Sequence, residues 1–390
     1  MSAQPSEFQY LSYAQEVIFA PGSVHRLGAA VDRFHWRRIM LCTSRSVRSS
    51  GRVTLLENML GERLVTIYDR VQPHVQDIQV EEVLALGFEH EVDALIGMGG
   101  GSPLGMAKAA ASALEEKRTG YPARAVIPTD QPLFPVVAIP TTYAGSEMTA
   151  VYGITHSREN PARKATVSDP KIAPKLVIYD PELTLDLPPA LTASTGINAL
   201  AHCIEALYSI TRHPLSTAAA ISGIQHISSA LFRCYRDGKS LEARTEMLLG
   251  SHLAGLSLAS VSMGLHHGLC HVLGGTANVP HGIANSLILP HAIRFNADET
   301  APRLLPAAEA MGISLNGISP RVAVEALAQK IFELVQNMNL PQRLREAGVG
   351  LKETDLPHLA QLAFQNRTVQ NNPKPITVPA QIEALLRAAW

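Results

Sequence analysis

The sequence predicts a two-domain, α/β plus all-α fold. An α/β domain built on a parallel sheet spans residues 1–186, and a helical domain spans 187–390. Three observations lead there. Apolar runs of strand length alternate with helical patterns through the first half of the chain. The pattern changes after PELTLDLPP (181–189). Beyond it, segments of helical periodicity follow one another and strand signals nearly vanish. A length of 390 residues supports two substantial cores.

In chain order, RRIMLCT (37–43) is the first apolar run, with a turn-rich exit, TSRSVRSSG. RLVTIYD (63–69) is the second, and VQDIQVEEVLALGFEHE after it has a helical pattern. DALIGMGGGS (93–102) is a strand that runs into glycines. PVVAIPTT (135–142) and KLVIYDP (175–181) are further strands. Runs this apolar suit a sheet covered by helices on both faces. In the second half, TGINALAHCIEALYSI, LEARTEMLLGSHLAGLSLAS and VAVEALAQKIFELVQNM are predicted helices.

Composition excludes several classes of function. Hydrophobic residues are 46% and charged residues 17%, which is a globular balance. The formal net charge is -1 and there is no long basic run, so no nucleic-acid partner is expected. No apolar run approaches membrane-spanning length, and the N-terminal MSAQPSEFQYLSYAQEV lacks an apolar signal core. No membrane partner is expected. Cys42, Cys203, Cys234 and Cys270 are scattered without C-x-x-C pairing, which suits a reducing, cytoplasmic compartment.

GMGGGSPLGMAKAAASAL begins at Gly97. Gly99, Gly100 and Gly101 allow the backbone to approach a ligand closely, and Ser102 is expected to cap a helix starting near Pro103. Such a helix start favours a phosphate. A tight turn without a ligand has the same sequence requirements. A second loop, IPTTYAGSEMT (139–149), clusters Thr141, Thr142, Ser146 and Thr149 after another buried strand. Two polar loops at carboxyl ends of parallel strands are where α/β sheets bind dinucleotides. In LCTSRSVRSSG, Ser44 is flanked by Arg45 and Arg48, with no carboxylate within the segment to repel a 2′-phosphate. NADH or NADPH is the expected cofactor. Surface charges are the competing reading of both arginines.

SMGLHHGLCHVLGGTANVPHG (262–282) places His267, His271 and His281 in the pattern H-G-x-x-H, nine residues, H. Asn198 and His202 lie four apart on one predicted helix face. Clustered imidazoles can bind metal, move protons or satisfy a packed core.

The glycine loop, PTT-x-x-GSE, the N-A-x-x-H-x-x-E helix and H-G-x-x-H-x9-H together resemble the iron-containing (group III) alcohol dehydrogenases, in order and across essentially the whole chain. The resemblance implies a dehydroquinate synthase-like fold, with a dinucleotide-binding domain followed by a helical catalytic domain and NAD(P) across the cleft. It implies metal-ligand positions at Asn198, His202, His267 and His281, with His271 near the reacting carbon and Lys164 among the cofactor contacts. Metal-dependent members carry Asp where Asn198 stands, and a neutral amide is a weaker donor.

AQEVIFAPGS, PTTYAGSEMT, this Asn, LHHGLCHVLGG and NNPKPITVPAQIEALLRAAW look like the maleylacetate reductase branch. That branch implies NAD(P)H-dependent reduction of the conjugated C=C bond of 2-maleylacetate to 3-oxoadipate, in catabolism of aromatic compounds, without metal. His271, His202, His267 and His281 then become candidates for proton transfer and oxyanion stabilisation, with His271 the general acid. A small dicarboxylate is the expected substrate, with Arg158, Arg163, Lys164 and Arg294 as nearby cations. PHGIANSLILPH (280–291) looks more like the metal-dependent enzymes, so an iron- or zinc-dependent alcohol dehydrogenase is the alternative. A non-redox lyase or nucleotide-binding relative is the second. A homodimer is the default assembly.

Overall fold

A computed structural model describes residues 7–120, 134–157 and 163–390. The chain divides into two compact units, whose described parts run over residues 12–185 and over residues 7–11 with 186–390. The short N-terminal segment, which the sequence reading put with the α/β domain, therefore groups with the helical unit. Its Phe8 and Tyr10 rings stack on His213 at 5.2 and 4.9 Å between centroids.

The first unit holds strands β1 (Glu16–Phe19), β2 (Ile39–Cys42), β3 (Leu64–Tyr68), β4 (Val75–Gln76), β5 (Ala94–Gly99), β6 (Val136–Pro140), β7 (Val151–His156), β8 (Arg163–Ser168) and β9 (Leu176–Tyr179). Its helices are α1 (Leu27–Arg33), α2 (Arg45–Ser49), α3 (Arg52–Leu60), α4 (Asp77–Glu89) and α5 (Gly101–Thr119). Six strands form one sheet in the order β1-β9-β6-β5-β2-β3, every pairing parallel. Side chains of β2 alternate between two cores. Ile39 and Leu41 pack on one face with Ile96 and Met98, and Met40 and Cys42 on the other with Leu95. This period of two, buried on both sides, explains the continuous apolar runs. A small second sheet, β4-β7-β8, pairs β7 antiparallel to β8.

The second unit holds α6 (Pro189–Tyr208), α7 (Pro214–Arg236), α8 (Leu241–Ser260), α9 (Leu265–Thr276), α10 (His281–Ala310), α11 (Pro320–Asn337), α12 (Leu356–Phe364), α13 (Arg367–Gln370) and α14 (Pro379–Ala388). Helix α6 is its central rod, with every residue from Gly196 to Tyr208 buried. A fully buried Arg244 fixes how that rod begins, donating to Leu187 O, Thr192 Oγ1 and Gly238 O. Among the described residues, no single helix is long and apolar enough to cross a membrane. The bent pair α8–α9 passes on length and composition, as the core helices of a folded domain also can.

Candidate active site

In the first unit the two polar loops meet. Strands β5 and β6 end level, Gly99 opposite Pro140, and Thr141 N donates to Gly99 O at 2.9 Å. Gly99 has φ +141°, and a Cβ there would lie 2.9 Å from Pro103 Cγ, so glycine is required. Thr142 lies against Gly100. Gly100 caps α5, so the helix begins at Gly101 and offers its first amides beside both loops. The expected cap, Ser102, sits inside the first turn instead. Its Oγ accepts from His74 N at 3.1 Å, and its hydroxyl proton is left to be placed elsewhere.

Thr43 Oγ1 donates to Met98 O at 2.8 Å, which places the β2 exit beside the glycine loop. Ser44 caps α2, accepting from Val47 N. The expectation of a carboxylate-free site around Ser44 is corrected here. Asp69, just past β3, pairs with Arg48 at 2.7 Å, and Glu57 lies 3.9 Å from the same guanidinium. The parallel pairing of β2 with β3 brings this acid to the loop from a neighbouring strand, which a reading of the segment alone misses.

Of the expected cations, Arg158 lies outside the described residues. Arg163 and Lys164 are placed by backbone alone, in β8 opposite His156 and Thr155. Arg294 is paired with Glu325 at 2.8 Å, which offsets its charge.

In the second unit the histidines converge. The His202 and His267 rings are 4.6 Å apart, His267 and His281 6.3 Å, and His271 and His281 5.8 Å, between centroids. Asn198 precedes His202 by about one turn of α6 and is likewise buried. Gly282 lets α10 begin against α6, because a Cβ there would meet Ser194 Cβ at 2.8 Å and Ser194 backbone at 3.0 Å. His202 and His267 are 3% exposed, His281 is half-buried and His271 is exposed.

One buried carboxylate organises this cluster, and sequence analysis did not single it out. Glu205 Oε1 accepts from Gly264 N (2.8 Å) and His266 N (3.2 Å). Its Oε2 accepts from His267 N (3.3 Å) and His267 Nδ1 (2.5 Å). Asn372, itself doubly bonded to Asn296, accepts from Leu265 N. The orphan amides at the start of α9 are thus satisfied by two side chains. Burial alone would raise the Glu205 carboxyl, but its contacts with His266 and His267 hold it far below the usual carboxylate range.

The network orients the rings. His266 Nε2 faces the Asn285 carbonyl at 3.3 Å, so it carries a proton. His266 Nδ1 lies 3.2 Å from His267 Nδ1 and 3.8 Å from Glu205 Oε2. Burial opposes its charge, but Cys270 and the Glu205 carboxylate outweigh burial and raise its pKa to about 10. His267 Nδ1–H donates to Glu205, and its Nε2 keeps a buried lone pair with no hydrogen-bond partner among the described residues. Burial, with neighbouring histidines adding to it, holds His202 well below its ordinary pKa, and burial also lowers His267.

The chain matches the iron-containing alcohol dehydrogenase family over residues 14–181 and the C-terminal model of the Fe-containing alcohol dehydrogenase family over 192–390. It belongs to the iron-containing alcohol dehydrogenase family. A maleylacetate reductase from Pseudomonas knackmussii is 36% identical over 375 residues, covering 96% of this chain and 95% of that protein. Two solved structures are also similar. A maleylacetate reductase from Agrobacterium tumefaciens has a TM-score of 0.83 at 28% identity, covering 99% of each chain. A 1,3-propanediol oxidoreductase has 0.91 at 31%, covering 98% of this chain and 100% of that one.

The donors at this family's metal position do not fit iron here. Burial keeps His202 and His267 neutral, Asn198 offers only an uncharged amide, and iron sites of this mixed type draw on a carboxylate. Glu205, the nearby acid, has both oxygens committed to four N–H donors. Among the described residues, Glu205, His266 and His267 bring their potential ligand atoms within 4.8 Å of one another. In this group hydrogen bonds already engage both oxygens of Glu205 and Nδ1 of His267.

Proposed function

We propose that this chain is a nicotinamide-dependent maleylacetate reductase that works without metal. The observation that carries this reading is Asn198 in an uncharged donor set. It is supported by a relative of that name at 36% identity over nearly the full length. A bound dihydronicotinamide would supply hydride to the carbon β to the ketone and be left oxidised. The C=C electron pair would move to give an enolate, and a proton from the protein would add at the α carbon to give 3-oxoadipate.

Burial favours neutral imidazoles at His202 and His267, so neither is the acid that delivers this proton. His271 is exposed and can be reloaded from solvent, which suits a general acid. His281, stacked on it, is the nearest candidate to share the proton or bond the enolate oxygen. His267, held by Glu205, orients the remaining rings.

Gly99, Gly100, Gly101 and Ser102, with Thr141, Thr142 and Ser146, bind the dinucleotide phosphates, and Lys164 is a further cofactor residue by family resemblance alone. Ser44 and Asp69 take the adenosine ribose, and Asp69 favours NADH over NADPH. The substrate is a small dicarboxylate, and neither nucleic acid nor a membrane is involved. The enzyme acts in the cytoplasm as a homodimer. The deciding experiment follows NADH absorbance with maleylacetate, using chelator-treated protein assayed for residual metal. Rapid oxidation supports the reading.

PHGIANSLILPH and the TM-score of 0.91 to a 1,3-propanediol oxidoreductase favour a second reading, a metal-dependent alcohol dehydrogenase. No oxidation of NADH by maleylacetate, with alcohol turnover appearing on added iron or zinc, would establish that one instead.

A further inference from the structure

Lys108 lies about two turns into α5, beyond the glycine loop, and is fully buried. An ammonium group there needs a reason, because burying a charge is costly unless it is paired and hydrogen-bonded. Its three donors face four acceptors in one short stretch. Nζ donates to Ser146 O (2.6 Å), Val151 O (3.0 Å) and Thr149 Oγ1 (3.2 Å), with Ser146 Oγ at 3.4 Å. Thr149 Oγ1 spends its own proton on Ser146 O. The counter-charge is in the same turn. Glu147 is fully buried, and its Oε1 accepts from Tyr179 OH at 2.9 Å, at the end of β9.

This turn directly continues the Thr141–Thr142 loop, which rests on Gly99 and Gly100. Lys108 is therefore a strut under both cofactor loops, rooted in the helix that one loop starts and bonded to the turn in which the other ends. Burial pushes its ammonium down to about 7 and the Glu147 carboxyl up to about 6, each partly countered by the other's charge.

We propose that Lys108, with Glu147 as its buried counter-charge, is a positioning residue for the dinucleotide that sets the spacing between the glycine loop and the 141–146 loop. The inference rests on reading those loops as the dinucleotide site. It touches neither the histidine cluster nor the organic substrate. A change here alters cofactor affinity through geometry, by shifting one loop relative to the other.

The test measures the NADH Kd by fluorescence titration of the full chain, together with kcat and both KM values. Lys108→Met keeps volume and removes the donors. Its Kd and KM for NADH should rise about tenfold or more, about 1.4 kcal/mol. The KM for the organic substrate and kcat at saturating NADH should stay near wild type. A purely structural lysine would lower thermal stability and leave the Kd of the folded fraction unchanged, and that result overturns the proposal. If Lys108→Met does not fold, Thr149→Val decides, because it removes one acceptor without changing shape. It should raise Kd about threefold, and an unchanged Kd overturns the proposal. Gly101→Asp separates the two layers of inference. Its Cβ would meet nothing closer than Ala144 at 3.9 Å, but its charge faces any phosphate at the start of α5. If Gly101→Asp weakens NADH and Lys108→Met does not, the strut is wrong and the site is right. If neither does, the site itself lies elsewhere.

Discussion

Replacing Glu205 with glutamine tests whether one carboxylate holds the catalytic helix in place. Glutamine has nearly the same shape but keeps one acceptor oxygen and presents an NH2 group in place of the other. That group would face two N–H donors from the α9 start or from His267. Two hydrogen bonds to a charged acceptor, each about 1.5–3 kcal/mol, are lost. The attraction of a carboxylate for a helix N-terminus, about 1–2 kcal/mol in a partly buried setting, goes with them. Relief of the carboxylate's desolvation returns part of this, so the net loss is about 3–5 kcal/mol, the usual cost of breaking a buried charged pair. At roughly 2–4 °C per kcal/mol for a unit of this size, the helical transition should fall by about 6–20 °C in differential scanning calorimetry. His267 also loses the acceptor that fixes its tautomer, so kcat should fall about 10–100-fold. The NADH Kd, set in the other unit, should not change. A transition shifted by less than about 2 °C with unchanged kcat would refute the role given to Glu205.

Four other outcomes are expected. His271→Ala should lower kcat about a hundredfold or more with little change in NADH Kd, and near-normal turnover removes its role as proton donor. Asn198→Asp should increase iron or zinc retained through purification, measured by elemental analysis. Unchanged metal content would put the vestigial ligand position elsewhere. Asp69→Asn should raise the kcat/KM of NADPH relative to NADH about tenfold, and an unmoved ratio places the ribose away from β3. Lys108→Met should also abolish a pH dependence of unfolding. The folded-state pKa of Lys108, about 7, lies below the ordinary 10.5, so between these values the unfolded chain binds the extra proton. Wild-type stability should therefore gain up to about 5 kcal/mol from this group as pH rises through that window, a gain the variant lacks in denaturant titrations.

The five apolar runs of the first half all became strands of the parallel sheet. The edge strand β3 is largely half-buried and was legible from its β-branched and aromatic residues. In β2, β5, β6 and β9 burial on both faces leaves a continuous apolar signature. β1, with the half-buried EVIF, and the short pair β7–β8 had no such signature and were missed. The histidines were legible as a set because the H-G-x-x-H spacing gives helical neighbours. What remained hidden were partners supplied by other elements. Glu205 serves α9 from α6, Asp69 reaches Arg48 from the neighbouring strand, and Lys108 bonds a turn 38 residues or more away. Ser102 shows the reverse error. A serine before a proline has the sequence of a cap, but the left-handed Gly99 turns the chain early, and the helix starts before the serine.

Charge placement in the helical unit also bears on why an amide occupies position 198. The negative charge of Glu205 is neutralised by the helix it caps and by His267, so it contributes little field on the far side of that ring. Within the ring cluster, burial keeps His202 and His267 neutral. Such a site can accept a dianionic substrate and an enolate without like-charge repulsion. A carboxylate at 198 would be a good ligand for a dication and, in its absence, an unpaired buried anion facing the enolate, a penalty of several kcal/mol. Asn198→Asp therefore has opposite consequences in the two chemistries. In chelated protein it should slow reduction of maleylacetate, whereas in a metal-loaded alcohol dehydrogenase it would strengthen the site. The sign of its effect on turnover, with metal content measured on the same sample, distinguishes a carboxylate that has become unnecessary from one that has become harmful.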